Sequence, residues 1–436
     1  METTSLTGDV WRDEVGHRMY QLITQLYPLS RSITGDGIRQ TLQTIGRVIP
    51  LDVHEVPSGT PVLDWTVPNE WNVRDAYIKS PSGEKIVDFQ RCNLHLLNYS
   101  LPIQATMPLS ALKEHLFSLP EHPDWIPYRT SYYRDNWGFC LPHKQLVNLA
   151  DGAYEVLIDT TLEPGHLTYG EFYLPGETTD EVLFSCHACH PSLCNDNLSG
   201  VALVAHLARH LQSVPRRYSY RFLFIPGTIG AITWLGQHQQ DVAKIKHGLV
   251  VACVGDPGKL HYKKSRRGDM EIDRAVMHTL RHLGHEHEVR DFSPYGYDER
   301  QYCSPGFNLP VGSLTRTPHG QYPEYHTSAD NLALVRPEAL SESFMTYLAA
   351  VELLETNHTY VNAHPYGEPQ LGKRGLYRTL GGLTDAKTEE MALLWVLNLS
   401  DGTHTLLDIA ERADLPYAVI RQAATKLREH DLLVDI

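Results

Sequence analysis

Two kinds of hydrophobic spacing alternate in the second half of this chain. Continuous apolar runs, EVLFSC (181–186), YRFLFIP (220–226), HGLVVACVG (247–255) and LPVGSLT (309–315), predict buried strands. Between them, GVALVAHLARHLQS (200–213), TIGAITWLGQHQ (228–239) and DMEIDRAVMHTLRHLG (269–284) repeat apolar positions every three or four residues and predict amphipathic helices. Strands and helices in this order predict an α/β fold, with a mostly parallel mixed sheet held between helices. In such folds ligands sit beyond the carboxyl ends of the strands.

The flanking segments read differently. Residues 12–48 have helical periodicity at both ends, around the loop PLSRSITGDG that carries Arg31, Ser32 and Asp36. A capped turn explains that loop as well as a substrate contact does. Residues 55–175 are short, aromatic and punctuated by Pro and Gly, which predicts a mainly β module whose aromatics pack its own core. Residues 336–357 predict a helix closing the α/β domain, and EEMALLWVLNLS, TLLDIAERA and PYAVIRQAATKLREHDLLVD predict a small winged helix. The domain expectation is therefore a core of 1–54 with 176–365, an inserted β domain of 55–175, and a winged-helix domain of 366–436.

Composition narrows the function classes. Hydrophobic residues make up 42% of the 436, enough to bury a real core. The formal net charge of −14 opposes general binding to nucleic acid or anionic membrane, so the winged helix reads as a packing or interaction module. No apolar window reaches membrane-spanning length. The N-terminus lacks a basic segment followed by an apolar run, and an odd count of seven cysteines fits reduced thiols, which together predict a cytoplasmic protein. A homo-oligomer is compatible with all of this.

Chemistry concentrates in SCHACHPSLCNDNLSG (185–200). His187 and His190 fall at a strand end, with Asp196 close behind, and His and Asp are neutral-pH ligands for zinc or a similar ion. Cys186, Cys189 and Cys194 lack the fourth ligand of a closed structural zinc site and read as small buried residues. A second segment, PEYHTSADNLALV (323–335), brings Tyr325, His326 and Asp330 into a loop before a helix start.

NDNLSG followed by an apolar helix, and later YHTSADNL, resemble the zinc aminopeptidase superfamily that includes glutaminyl cyclases. YPLSRSITGDGIRQTL, LDWTVPNEW, PYRTSYYRDNWGFCL, GEPQLGKRGLY and the terminal winged helix resemble one subgroup of it, aminopeptidase-like proteins associated with polysaccharide or natural-product biosynthesis. The resemblance implies that His187 or His190 is the strand-end ligand, Asp196 the bridging carboxylate and His326 the late ligand. It also implies that Tyr325 donates to a developing oxyanion. The chain departs from the pattern after YRFLFI, where the superfamily's Glu pair, a general base and a ligand, is replaced by Gly227 and Thr228. The next expected Asp falls near Ala252, with Asp256 the nearest acid.

These losses point to one zinc ion, bound by two histidines and Asp196, rather than two. Asp298, Glu299 and Glu324 are substitute proton acceptors, and Arg31, Asp36 and Arg300 are candidate substrate contacts. The expected function is a metallo-aminopeptidase-like hydrolase of a small aminoacyl, short-peptide or natural-product substrate. Acyl transfer or cyclisation on the same scaffold, and a catalytically inactive binding protein, are the alternatives.

Overall fold

The computed structural model describes residues 9–376 and 384–436. Residues 1–8, at the N-terminus, and 377–383, all but the last in the stretch GEPQLGKRGLYRTLGG, lie outside the described part. The chain divides into two compact units, one of Met1–Met270 with Glu286–Met345, the other of Glu271–His285 with Thr346–Ile436.

The first unit is built on an eight-stranded mixed sheet. Its centre is four parallel strands, Ser219–Ile225, Glu181–His187, Ile245–Val251 and Val311–Thr315, in that spatial order. Val182, Leu183, Phe184, Phe222, Leu223, Phe224 and Val251 are all buried. Such strands need apolar side chains on both faces because helices cover both, which is why they read as unbroken hydrophobic runs. Antiparallel strands extend the sheet on either side: His166–Leu174 and Asp52–Pro57 at one edge, Leu260–Lys263 and its parallel neighbour His287–Arg290 at the other. The strands 52–57 and 166–174 thus join the main sheet, although their sequences carry the β-rich signature of residues 55–175.

Four more strands from that region, Lys85–Asp88, Glu70–Lys79, Ala153–Glu163 and Ile103–Pro108, form a separate antiparallel sheet. Its buried face does not stand alone. Trp71, Ile78, Tyr154 and Val156 belong to one continuous hydrophobic cluster with Leu183, Leu223, Val250 and Val311. That shared core packs the second sheet against the first.

The second unit contains a three-stranded antiparallel sheet, Asp401–Thr405, Thr359–Asn362 and Leu433–Asp435 in spatial order, with the helices Leu406–Ala413 and Tyr417–Glu429. Thr405 caps the first helix by accepting the Asp408 N–H, and the Asp408 carboxylate returns the interaction. Arg274, on the helix Glu271–Leu283, pairs with Asp408 and Glu411 at 2.6 and 2.5 Å. The sequence reading placed this helix among the core elements, and the structure places it with the winged helix.

Candidate metal centre

Four segments that follow adjacent parallel strands meet at one place. His187 ends the first strand, Gly227 follows Ile225, Cys253 follows Val251, and His326 lies in the loop beyond Thr315. Asp196 is at the middle and is completely buried. Its Oδ1 is 2.8 Å from His187 Nε2, and its Oδ2 is 2.9 Å from His326 Nε2 and 3.2 Å from His190 Nδ1. Among the described residues, the ligand atoms of His187, His190 and Asp196 lie within 4.8 Å of one another.

The loop that carries Asp196 is held by backbone capture rather than by its own regularity. The Asp330 carboxylate accepts the N–H groups of Cys194 (3.1 Å), Asn195 (2.6 Å) and Asp196 (2.9 Å). Asn197 donates to the carbonyls of His187 and Val251 and accepts from the N–H groups of Gly200 and Cys253, stitching the loop to two strands. His326 has φ of 54°, a left-handed conformation uncommon for a side-chain-bearing residue, and the Tyr128 N–H holds its carbonyl at 2.7 Å. The Tyr128 ring then packs edge-on to both His190 and His326.

Burial opposes charge at Asp196, yet the neighbouring His190 and His187 hold its carboxyl well below the usual range. Burial likewise works against a charged His187, but Asp196 outweighs it and moves the imidazole upward, whereas at His190 burial wins and lowers it. A buried carboxylate surrounded by three imidazoles is a donor set that suits a zinc ion, since all four groups bind it at neutral pH and burial favours compensation of the charge.

Beside this cluster is a cavity of about 340 Å³ whose lining includes His187, His190, Gly227, Asp298, Tyr325 and His326. Gly227 is not sterically required: a Cβ built there would meet His187 Cβ at 3.6 Å and Cys189 Sγ at 3.7 Å, ordinary contacts, and its φ is not positive. Thr228 has φ of 62° and its N–H donates to Asp298 Oδ1 at 2.7 Å. Asp298 is itself buried, and burial pushes its carboxyl up to about 6, with His187 pulling the other way. Tyr325 stacks on His326 at 3.9 Å.

The other sequence candidates lie elsewhere. Glu299 is buried and ion-paired to Lys263, facing a neighbouring cavity. Arg31 is completely buried and donates from Nε to the His190 carbonyl at 2.8 Å and from Nη1 to the Leu26 carbonyl, so it supports the ligand loop from behind instead of lining the cavity. Asp36 is exposed and pairs with Arg39. Arg300 reaches Thr228 Oγ1 at 3.4 Å from outside the cavity wall. Glu324 is not part of the lining, and Asp256 is occupied by Asn195, Gly258 and Thr317. What sequence reasoning missed is the aromatic wall: Trp65, Tyr132 and Tyr133 come from the β-rich region and line the cavity, with Trp65 and Tyr133 edge-to-face at 5.6 Å.

Together the sheet order and the cluster at its carboxyl end define an aminopeptidase-like fold. Its core superposes on a zinc aminopeptidase of Bacillus subtilis with a TM-score of 0.56 at 13% identity, covering 78% of this chain and 94% of that one. It superposes on an M28 peptidase precursor of Shewanella amazonensis with a TM-score of 0.55 at 13% identity, over 80% and 97%. The chain belongs to the family described as a domain of unknown function (DUF4910), which residues 20–357 match, and residues 358–435 match a winged helix-turn-helix family. A Clostridium acetobutylicum relative is 51% identical over 96% of both chains; it carries the provisional name of a polysaccharide biosynthesis protein with an aminopeptidase-like domain. A C. acetobutylicum crystal structure, provisionally named a peptidase, matches with a TM-score of 0.94 and 49% identity over 98% of this chain and 97% of that one. None of the described helices is long and apolar enough to cross a membrane.

Proposed function

We propose that this chain is a metal-dependent amide hydrolase of aminopeptidase type that acts on a small aminoacyl or peptide-like substrate, with one zinc ion held by Asp196 and two of the imidazoles of His187, His190 and His326, which leaves a position open for water. The observation that carries this reading is the convergence of three imidazoles on one buried carboxylate at the floor of a cavity. When bound, zinc supplies Lewis acidity toward a carbonyl and makes water acidic enough to react near neutral pH. The chain's own residues do the rest. Tyr325 borders the cavity beside His326 and donates to the oxygen on which charge develops. Asp298 accepts the proton, from a position fixed by the Thr228 N–H one residue beyond Gly227. Trp65, Tyr132 and Tyr133 narrow the space around the site, favouring a small substrate over a folded protein. The polysaccharide-biosynthesis name of the Clostridium relative supports a substrate drawn from the assembly of a glycan.

The test is metal content after chelator-free purification together with turnover of aminoacyl amides. About one zinc per chain is expected, with slow turnover that chelation abolishes and zinc restores. A protein that binds no zinc even in excess overturns the reading.

Gly227 favours a second reading. Where the base is missing and the wall is open, an amine of the substrate can attack in place of water, giving acyl transfer or cyclisation. Product mass separates the two: hydrolysis gains water, whereas cyclisation loses water or ammonia.

A further inference from the structure

A second cavity, of about 230 Å³, adjoins the first and shares Tyr297 with it. It is smaller than the roughly 300–1,000 Å³ of a whole ligand pocket, so it suits one ring-sized group. Lys263, Arg290, Asp291 and Glu299 are its charged lining residues, and each has a counter-ion. Lys263 pairs with Glu299, Arg290 with Glu288 at 2.7 Å, and Lys264 with Asp291 at 2.6 Å. An anion entering here meets the Glu299 carboxylate, and a cation meets the Lys263 ammonium, so neither class is favoured.

Two buried polar groups of its lining are left short of partners. Glu299 is 1% exposed, and apart from its ion pair neither carboxylate oxygen accepts a hydrogen bond. His319 Nδ1 is also buried without a partner, and burial lowers the imidazole's basicity, which keeps it neutral. Leaving such groups unsatisfied costs free energy that a ligand donating neutral O–H groups would recover. Aromatic faces are present too: Tyr295 is 73% exposed at the cavity, Tyr297 forms the shared wall, and His319 sits between them at 5.5 and 4.8 Å. A carboxylate with one oxygen held by Lys263 and the other without a partner, beside ring faces that can cover C–H groups, matches a hydroxyl-bearing saturated ring.

We propose that this second cavity binds a neutral sugar ring, with a ring hydroxyl donating to Glu299 and the ring face lying against Tyr295. Its place beside the metal cavity would make the sugar the part of the substrate beyond the scissile bond. That last clause rests on the hydrolase reading, whereas sugar binding itself does not.

The experiment is saturation-transfer NMR on the full chain after chelation, which keeps the result independent of metal chemistry. The probes are glucose, galactose and N-acetylglucosamine, with inorganic phosphate and ethylammonium as charged competitors. At least one sugar is expected to show saturation transfer that neither competitor displaces. Tyr295→Ala, an exposed change that leaves the fold in place, should weaken that binding by about fivefold or more. Glu299→Gln, which removes the charge but keeps one acceptor oxygen, should weaken sugar binding by about fivefold or more, and undiminished binding in the folded variant overturns the proposal. Absence of transfer to every sugar, displacement by phosphate or ethylammonium in the unmodified chain, or binding indifferent to Tyr295→Ala overturns the proposal. If Glu299→Gln fails to fold, the Tyr295 variant and the competitors still decide it.

Discussion

At the scale of single residues, the position beside the cavity with the most room for a new group has no side chain. The nearest atoms to a Cβ at Gly227 are 3.6 and 3.7 Å away, and the cavity lies beside it. A carboxylate introduced by Gly227→Glu would enter the cavity without displacing backbone. General-base assistance is typically worth about 10²–10⁴-fold, so Gly227→Glu should raise amide hydrolysis by a factor in that range, read as kcat on an aminoacyl amide. An unchanged rate in a folded, zinc-loaded variant would show that water activation does not limit turnover. Asp298→Asn tests the substitute base from the other side. It should slow hydrolysis in the natural chain and matter far less in the Gly227→Glu background, because one proton needs only one acceptor. The sequence alone puts Gly227 where the family resemblance implies a Glu. It could not show that Asp298, seventy-one positions later, is anchored beside that gap by the Thr228 N–H.

At the scale of elements, the ligand loop and the aromatic wall both depend on chain segments distant in sequence. Asp330 captures three successive N–H groups of the loop Cys194–Asp196, so it sets where Asp196 points without itself joining the histidine cluster. Partners that orient metal ligands are commonly worth 10–100-fold in affinity, and Asp330→Asn should weaken zinc binding by roughly that amount. Competition with a chromophoric chelator measures it, and a variant with unchanged affinity would reduce Asp330 to a structural role. On the wall, Trp65 and Tyr133 are 40% and 55% exposed, which makes alanine substitutions there tolerable to the fold. Trp65→Ala should raise KM by about three- to tenfold with kcat little changed, the signature of lost uniform binding. Much of the element pattern was legible. Buried parallel strands announce themselves as apolar runs, and the histidines and Asp196 share one short segment. The edge strands Leu260–Lys263 and His287–Arg290 escaped notice because they are four residues each and largely polar. The aromatics of 55–175 read as core because periodicity reports that a side chain is apolar, not which sheet its strand will join or which cavity it will face.

At the scale of the whole molecule, the second compact unit holds a buried histidine that makes its stability depend on pH. On its helix Glu271–Leu283, His278 is 4% exposed, neither ring nitrogen has a hydrogen-bond partner, and the ring lies 4.4 Å from that of His282. Burial first, then the neighbouring His282 and Arg281, push His278 down to about 4, with Asp414 opposing and Arg274 reinforcing the shift. An exposed histidine in the unfolded chain titrates near 6.5. The unfolded state therefore takes up a proton at a higher pH than the folded state does. Stability from this site is complete above about pH 6.5 and declines as the pH falls toward 4, where the folded imidazole finally protonates. His282 is lowered in the same sense and adds to the slope. Hydrogen exchange along the helix Tyr417–Glu429 should accordingly quicken between pH 6.5 and 4 beyond the intrinsic pH dependence of exchange, and His278→Leu should remove most of that excess. Leucine has no proton to bind and fills a site that already excludes water. An excess that survives intact in the leucine variant would assign the acid response to other groups, with the paired carboxylates Asp408 and Glu411 the next to substitute.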